Sequence, residues 1–154
     1  MADQPRDSET LHGYAMDRDE IDDFLRAQGT GVLSLSRDGT AYAVPVSFGY
    51  ADDSLYFFLL RFGDDSRKLD FVETTDEASF TTYDVEDANR WRSVVVSGPL
   101  TEVSDGEADR LEDVMFDNAE FASLFPYGEP MTAQVRYRLA VGDVTGQKGH
   151  GYEV

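Results

Sequence analysis

The chain has 154 residues, the length of one domain, and folding at that size removes roughly two thirds of the unfolded surface from water. With 41% hydrophobic and 29% charged residues it is not an intrinsically disordered chain, and its longest apolar run, Leu55 to Leu60, falls far short of the ~20 residues a membrane-spanning helix needs. Asp and Glu number 31 against 13 Lys and Arg, a net charge of −18 that repels nucleic acid and anionic lipid, and with no cysteine there is no disulfide framework, thiolate nucleophile or cysteine-bound metal.

The acids recur throughout, at 17–23, 52–53, 64–65, 84–87 and 105–117, and Lys68 and Lys148 are the only lysines, a composition expected of a halophile. Residues 1–13 are polar and lack the basic flank and apolar stretch of a secretory signal, so a flexible tail ahead of one cytoplasmic domain over 14–154 is expected.

Asp17 and Glu20 have the spacing of a capping box, and Ile21, Phe24 and Leu25 fall on one face of the helix it would start. From Val32 the period changes to two: a strand over 32–36, an Asp38-Gly39 turn suited to a type I′ hairpin, a strand over 41–50, a turn at 51–54, and a third strand to Leu60. A second helix is predicted from Asp65 or Ser66 through Leu69, Phe71 and Val72, followed by strands over 78–83 and 91–103. Ser104 and Glu107 suggest a third helix with Ala108, Leu111, Val114, Met115 and Ala119 as its stripe. An aromatic loop over 121–127 then leads to a last strand in which Val135, Tyr137, Leu139 and Val141 alternate. The predicted fold is mainly β: a six-stranded antiparallel barrel with peripheral helices, since closure hides both the edges and one apolar face.

On the second strand Tyr42, Val44, Val46 and Phe48 point one way, while Ala43, Pro45 and Ser47 present a low, flat face on the other. Pro45 lacks an amide donor and belongs at an edge; it either leaves room for a planar ring or only blunts that edge. The third strand is apolar on both faces, so its outer side is covered, by a symmetric partner or by the chain's own helices. Ser66-Arg67-Lys68 at a helix start is a plausible phosphate seat, or a solvated start whose cations offset Asp64 and Asp65. Arg90-Trp91-Arg92-Ser93 sets the only tryptophan beside two arginines, a combination suited to an anionic planar ligand or to a core indole with exposed cations. His12 and His150 have no metal-ligand spacing, so no metal is assigned.

Several segments together resemble the pyridoxamine 5'-phosphate oxidase-like superfamily of split-barrel flavin proteins, and more narrowly its nitroimidazole-resistance-type branch. They are Gly31-Val32-Leu33-Ser34-Leu35 with Asp38-Gly39, Ala43-Val44-Pro45-Val46-Ser47-Phe48, Leu55-Tyr56-Phe57, Ser66-Arg67-Lys68-Leu69-Asp70, Trp91 through Gly98, and Val144-Thr145-Gly146 with Lys148. The resemblance implies a homodimer with FMN in two clefts between subunits and an oxidoreductase acting on a small molecule. The main chain at Pro45, Val46 and Ser47 would border the isoalloxazine ring, with Phe58, Leu59 and Leu60 lining it. Ser66, Arg67 and Lys68 would hold the phosphate, and Trp91, Arg92 and Ser93 would close the cleft from the other subunit. The superfamily also accommodates a deazaflavin or a heme in the same fold, and an alternative of another class is a non-catalytic flavin or ligand carrier, or a stress-associated binding protein. The sequence departs from the narrower branch at Phe58, where a histidine is typical, and its end lacks the arginine- and histidine-bearing segment of vitamin B6 oxidases.

Overall fold

Asp17 starts the first helix as its spacing predicts. Its carboxylate accepts from the Glu20 amide at 2.8 Å, while the Glu20 carboxylate accepts from the Asp17 amide at 3.4 Å. In the computed structural model, which describes residues 13–62, 67–118 and 131–152, this helix, α1 (Arg18–Ala27), follows a two-residue strand, β1 (Tyr14–Ala15). Strands β2 (Thr30–Arg37) and β3 (Thr40–Ser47) form the predicted hairpin: Asp38 and Gly39 have φ of 48° and 80°, the pair of left-handed residues a type I′ turn requires. Asp52 and Asp53, at 52° and 57°, repeat the device between β4 (Gly49–Ala51) and β5 (Ser54–Phe62).

The chain continues through α2 (Arg67–Thr74), β6 (Glu77–Val85), β7 (Trp91–Glu102), a 3-10 turn (Asp105–Glu107) and α3 (Ala108–Asn118). It ends with β8 (Met131–Ala140), β9 (Asp143–Lys148) and a 3-10 turn (His150–Tyr152). The strands run β3-β2-β6-β7-β8-β5-β4, antiparallel throughout, with β9 beside β7 and β1 beside β9. The two ends of that order, β3 and β4, are separated in sequence only by Phe48, so the chain itself closes the sheet into a barrel. β7 serves both halves: 91–99 pair with β6 and 100–102 with β8. It crosses over at Gly98, where any Cβ would strike the Ala140 carbonyl oxygen.

Among the described residues the six expected strands are therefore nine. The predicted 41–50 strand divides at Phe48: its amide still donates to Gly29 O at 2.9 Å, the next pair in the β2–β3 register, and from Gly49 the chain pairs with β5 instead. β9 carries Asp, Thr, Gly and Gln, so little apolar alternation announces it, and β1 is too short to show a period. The predicted 121–127 loop lies outside the described residues.

Inside the barrel the rings of Phe48, Phe57 and Phe80 pack with centroids 4.7 and 5.6 Å apart. Phe24 and Leu25 of α1 and Leu69, Phe71 and Val72 of α2 join the same core. Each such buried side chain contributes about 1.5–3 kcal/mol. A second, smaller core lies outside the wall, where Leu111 and Val114 of α3 and Val103 bury Tyr56 of β5. The chain's own helix thus covers the outer side of β5, the second of the two coverings its sequence allows, because α3 follows β7 closely enough to fold back over that strand. Among the described residues no helix is long and apolar enough to cross a membrane.

Candidate functional site

β3 alternates as predicted, with Val46 buried and Ala43 and Pro45 exposed. Register carries the exposed face across the sheet. Pro45 lies opposite Val32, Val32 opposite Thr81, Thr81 opposite Val95, and Val95 opposite Thr145, so these five residues form one row over β3, β2, β6, β7 and β9. The next row is Ala43, Ser34, Ser79, Ser97 and Asp143. On the other side of the first row Ser47 faces Thr30, Tyr83 faces Ser93, Ser93 faces Gln147, and Val85 faces Trp91 beyond. These rows hold a single charge, Asp143, in a chain of which 29% is charged. Tyr83, Val85 and Val95 are 62%, 63% and 40% exposed. At ordinary strand spacings these rows cover roughly 20 by 20 Å, with Ser and Thr the commonest residues and Tyr83, Val85 and Val95 the exposed large apolar side chains.

β3 ends the strand order, so one of its edges has no hydrogen-bonded strand. Pro45 therefore stands where its missing amide costs least. α2 packs against β2, β3 and β5. Its first residue, Arg67, is exposed, with its guanidinium 5.4 Å from the Tyr42 ring centroid and 5.7 Å from that of Phe71; the two rings stack on each other. Among the described residues no carboxylate pairs with Arg67. Ser66 lies outside the described residues, as do the side chains of Lys68 and Leu60. Phe58 faces outward opposite Arg136, whereas Leu59 points into the core at 1% exposure.

At the start of β7 the three predicted cleft residues divide by face. Trp91 and Ser93 share the outer face, while Arg92 alternates with Val94 and Val96 on the inner one. There its guanidinium lies 4.9 Å from the Phe24 centroid and 4.7 Å from that of Tyr152, 3.7 Å from the Asp84 carboxylate, with Nε buried and unpartnered. Pro45, Ser47, Trp91 and Ser93 thus come to one face; the side chains of Val46, Leu59 and Arg92 do not. β3 and β7 are three strand spacings apart, about 14 Å, so Pro45 and Trp91 do not meet within one chain.

Sequence reasoning missed Thr81, Tyr83, Val95 and Thr145. The available signal was the run of uncharged alternate positions at Ser79, Thr81, Tyr83 and Val85 in so acidic a chain.

Two polar ties brace the barrel away from this face. Tyr50 donates to Asp22 at 2.6 Å, and burial together with that bond pushes its phenol up to about 12. Burial works against the Asp22 carboxylate, but bonds from Tyr50 and Arg18 hold it below the ordinary range. Lys148, buried at 8% exposure, reaches Glu20 at 2.6 Å and ties β9 to the start of α1.

A family model described as Pyridoxamine 5'-phosphate oxidase matches residues 17–148. The fold is similar to that of an FAD-binding protein from Mesorhizobium loti, at 22% identity and a TM-score of 0.70, covering 89% of this chain and 98% of that one. It is also similar to a candidate 5-nitroimidazole antibiotic resistance protein from Bacteroides thetaiotaomicron, at 22% identity and a TM-score of 0.65, covering 88% and 87%. An uncharacterized protein of Rhizobium meliloti is 26% identical over 88 residues, 57% of this chain; the match spans about half, 56%, of that relative's length.

Proposed function

The chain belongs to the pyridoxamine 5'-phosphate oxidase family, and from that membership we propose that it binds FMN between two copies of itself and exchanges electrons with a small molecule. The observation that carries this reading is the uncharged face itself. It holds Pro45, Ser47, Trp91 and Ser93, yet keeps Pro45 and Trp91 about 19 Å apart, three strand spacings across and four residues along, so both can border one planar ligand only if a second copy supplies one of them.

The residues present fit the cofactor. Ala43 and Pro45 leave a floor without bulk, and Arg67 supplies a cation for the phosphate. Bound flavin supplies hydride or single-electron transfer. This chain's part is to hold the ring flat, anchor the phosphate and exclude water from the seam. No catalytic role is assigned to a described side chain; Trp91 shapes the cleft.

A visible spectrum and sedimentation of freshly purified protein in molar potassium chloride test the reading. Bound flavin on a dimer is the expected result; a colourless monomer that takes up no added FMN would overturn it. A deazaflavin or heme spectrum would keep the cleft and replace the cofactor. Anaerobic reduction by a nicotinamide cofactor, then reoxidation by candidate acceptors, separates an enzyme from a carrier, which gives no acceptor-dependent turnover.

A further inference from the structure

The two ends of the described chain meet at the start of β7. Gly149 N donates to Trp91 O at 2.8 Å, Gly151 N to Asn89 O at 2.7 Å, and Tyr152 N to Gly149 O at 3.1 Å. The closing 3-10 turn is therefore bound main chain to main chain onto the segment that precedes and opens β7. Two guanidinium groups lie against the Tyr152 ring, those of Arg90 and Arg92, each 4.7 Å from its centroid. Each is anchored in turn, Arg90 by Glu86 at 3.1 Å and Arg92 by Asp84 at 3.7 Å.

The same turn touches the indole. A Cβ on Gly149 would stand 2.8 Å from Trp91 Nε1, and one on Gly13 would stand 2.8 Å from Cη2 and 3.1 Å from Cζ2. One edge of the ring thus rests against two glycines, one from each end of the described chain. The Tyr14 hydroxyl and His150 Nδ1, 3.5 Å apart, join those two ends.

We infer that Tyr152 is a positioning residue: by holding Arg90 and Arg92 it seats the closing turn, and through Gly149 the seated turn fixes the orientation of the Trp91 indole. The consequence for a ligand rests on the flavin reading above; the orientation of Trp91 does not.

Trp91 is the only tryptophan, so its fluorescence reports this position alone. The test compares Tyr152→Leu, Tyr152→Phe and Arg90→Gln with the parent chain. Acrylamide quenching of Trp91 is measured in flavin-free protein, and FMN affinity together with quenching of FMN fluorescence in loaded protein. Losing two partly exposed cation–π contacts shifts the seating of the turn by up to about thirtyfold. Tyr152→Leu is therefore expected to make Trp91 more accessible to acrylamide and to weaken FMN binding by up to that factor. Tyr152→Phe keeps the ring against both guanidiniums and gives up only the hydroxyl's contact with Arg90, so it retains most of both, and Arg90→Gln gives a partial loss in the same direction.

Wild-type Trp91 quenching in Tyr152→Leu overturns the inference, as does equal damage in Tyr152→Phe. Should Tyr152→Leu not fold, Arg90→Gln, which alters an exposed side chain, decides by the same readout: greater Trp91 accessibility supports the inference, and none overturns it. Should the parent chain take up no FMN, the flavin reading falls while Trp91 quenching still decides the role of Tyr152.

Discussion

Val95→Glu separates folding from assembly. Val95 sits in the middle of the uncharged face, between Thr81 and Thr145, and is 40% exposed in the single chain. A glutamate there keeps its carboxylate in water while the chain is alone, so the cost to the monomer stays within about 0.5 kcal/mol. In a two-fold dimer built on this face the same change buries two like charges, one per copy, with no cation in the neighbouring rows to receive them. Several kcal/mol for each unpaired buried charge gives roughly 4–8 kcal/mol per dimer, which weakens association by about a thousandfold or more. Sedimentation velocity with simultaneous flavin absorbance reads the outcome: a folded monomer without FMN. Val95→Thr, uncharged and of similar size, is expected to remain a dimer with FMN bound. A Val95→Glu protein that stays dimeric and yellow would mean that the copies meet elsewhere.

The double variant Arg67→Ala with Lys68→Ala is expected to weaken FMN binding at least tenfold, since each charge-assisted phosphate contact contributes about 1.5–3 kcal/mol, while leaving the melting curve of the flavin-free protein in place; unchanged occupancy by equilibrium dialysis would remove the phosphate from α2. Lys148→Met keeps the buried stem but loses the bond to Glu20, whose other oxygen still caps α1 and whose carboxylate still reaches water, so the cost falls near 1.5 kcal/mol and lowers the melting temperature by about 3–6 °C. A cycle with Glu20→Gln that gives no coupling would contradict that account. Because the phenol of Tyr50 is raised to about 12, the stabilisation it lends is complete below the ordinary tyrosine value and drains away as pH climbs from about 10 past 12. Tyr50→Phe should flatten the alkaline fall in melting temperature and delete a phenol that ionises near 12 from an absorbance titration.

What was legible in the sequence was local. The Asp17 and Glu20 cap, the Asp38-Gly39 turn and the alternation from Tyr42 to Phe48 depend on residues within a few positions of one another, and each stands as predicted. Alternation alone also places Arg92 with Val94 and Val96; its partners Phe24 and Tyr152, far away in sequence, decide what its inner face offers. β9 was hidden for a related reason. Its pairing with β7 places Gly146 against Met16 and Ile21 and buries Lys148, so polar-looking residues fill inward positions that no local pattern marks as core. The covering of β5 turned on whether α3 folds back over Tyr56, a tertiary choice that an apolar strand announces without resolving.

Salt sets the two parts of the proposed cleft against each other. Two chains each carrying −18 repel at low ionic strength, where the screening length is about 10 Å at 0.1 M, and far less near 1 M, where it is about 3 Å. The facing rows of Pro45, Val32, Thr81 and Val95 carry no charge, so salt takes nothing from their contact, whereas it screens the partly exposed pairing of Arg67 with a phosphate. If closure of the seam limits binding, FMN affinity rises with potassium chloride into the molar range, and riboflavin, which lacks the phosphate, rises in parallel. If the phosphate contact dominates, FMN affinity falls while that of riboflavin holds steady. The face described here predicts the first pattern, and the second, in titrations of both ligands from 0.1 to about 2 M salt, would place the binding energy at the start of α2 and not between the walls.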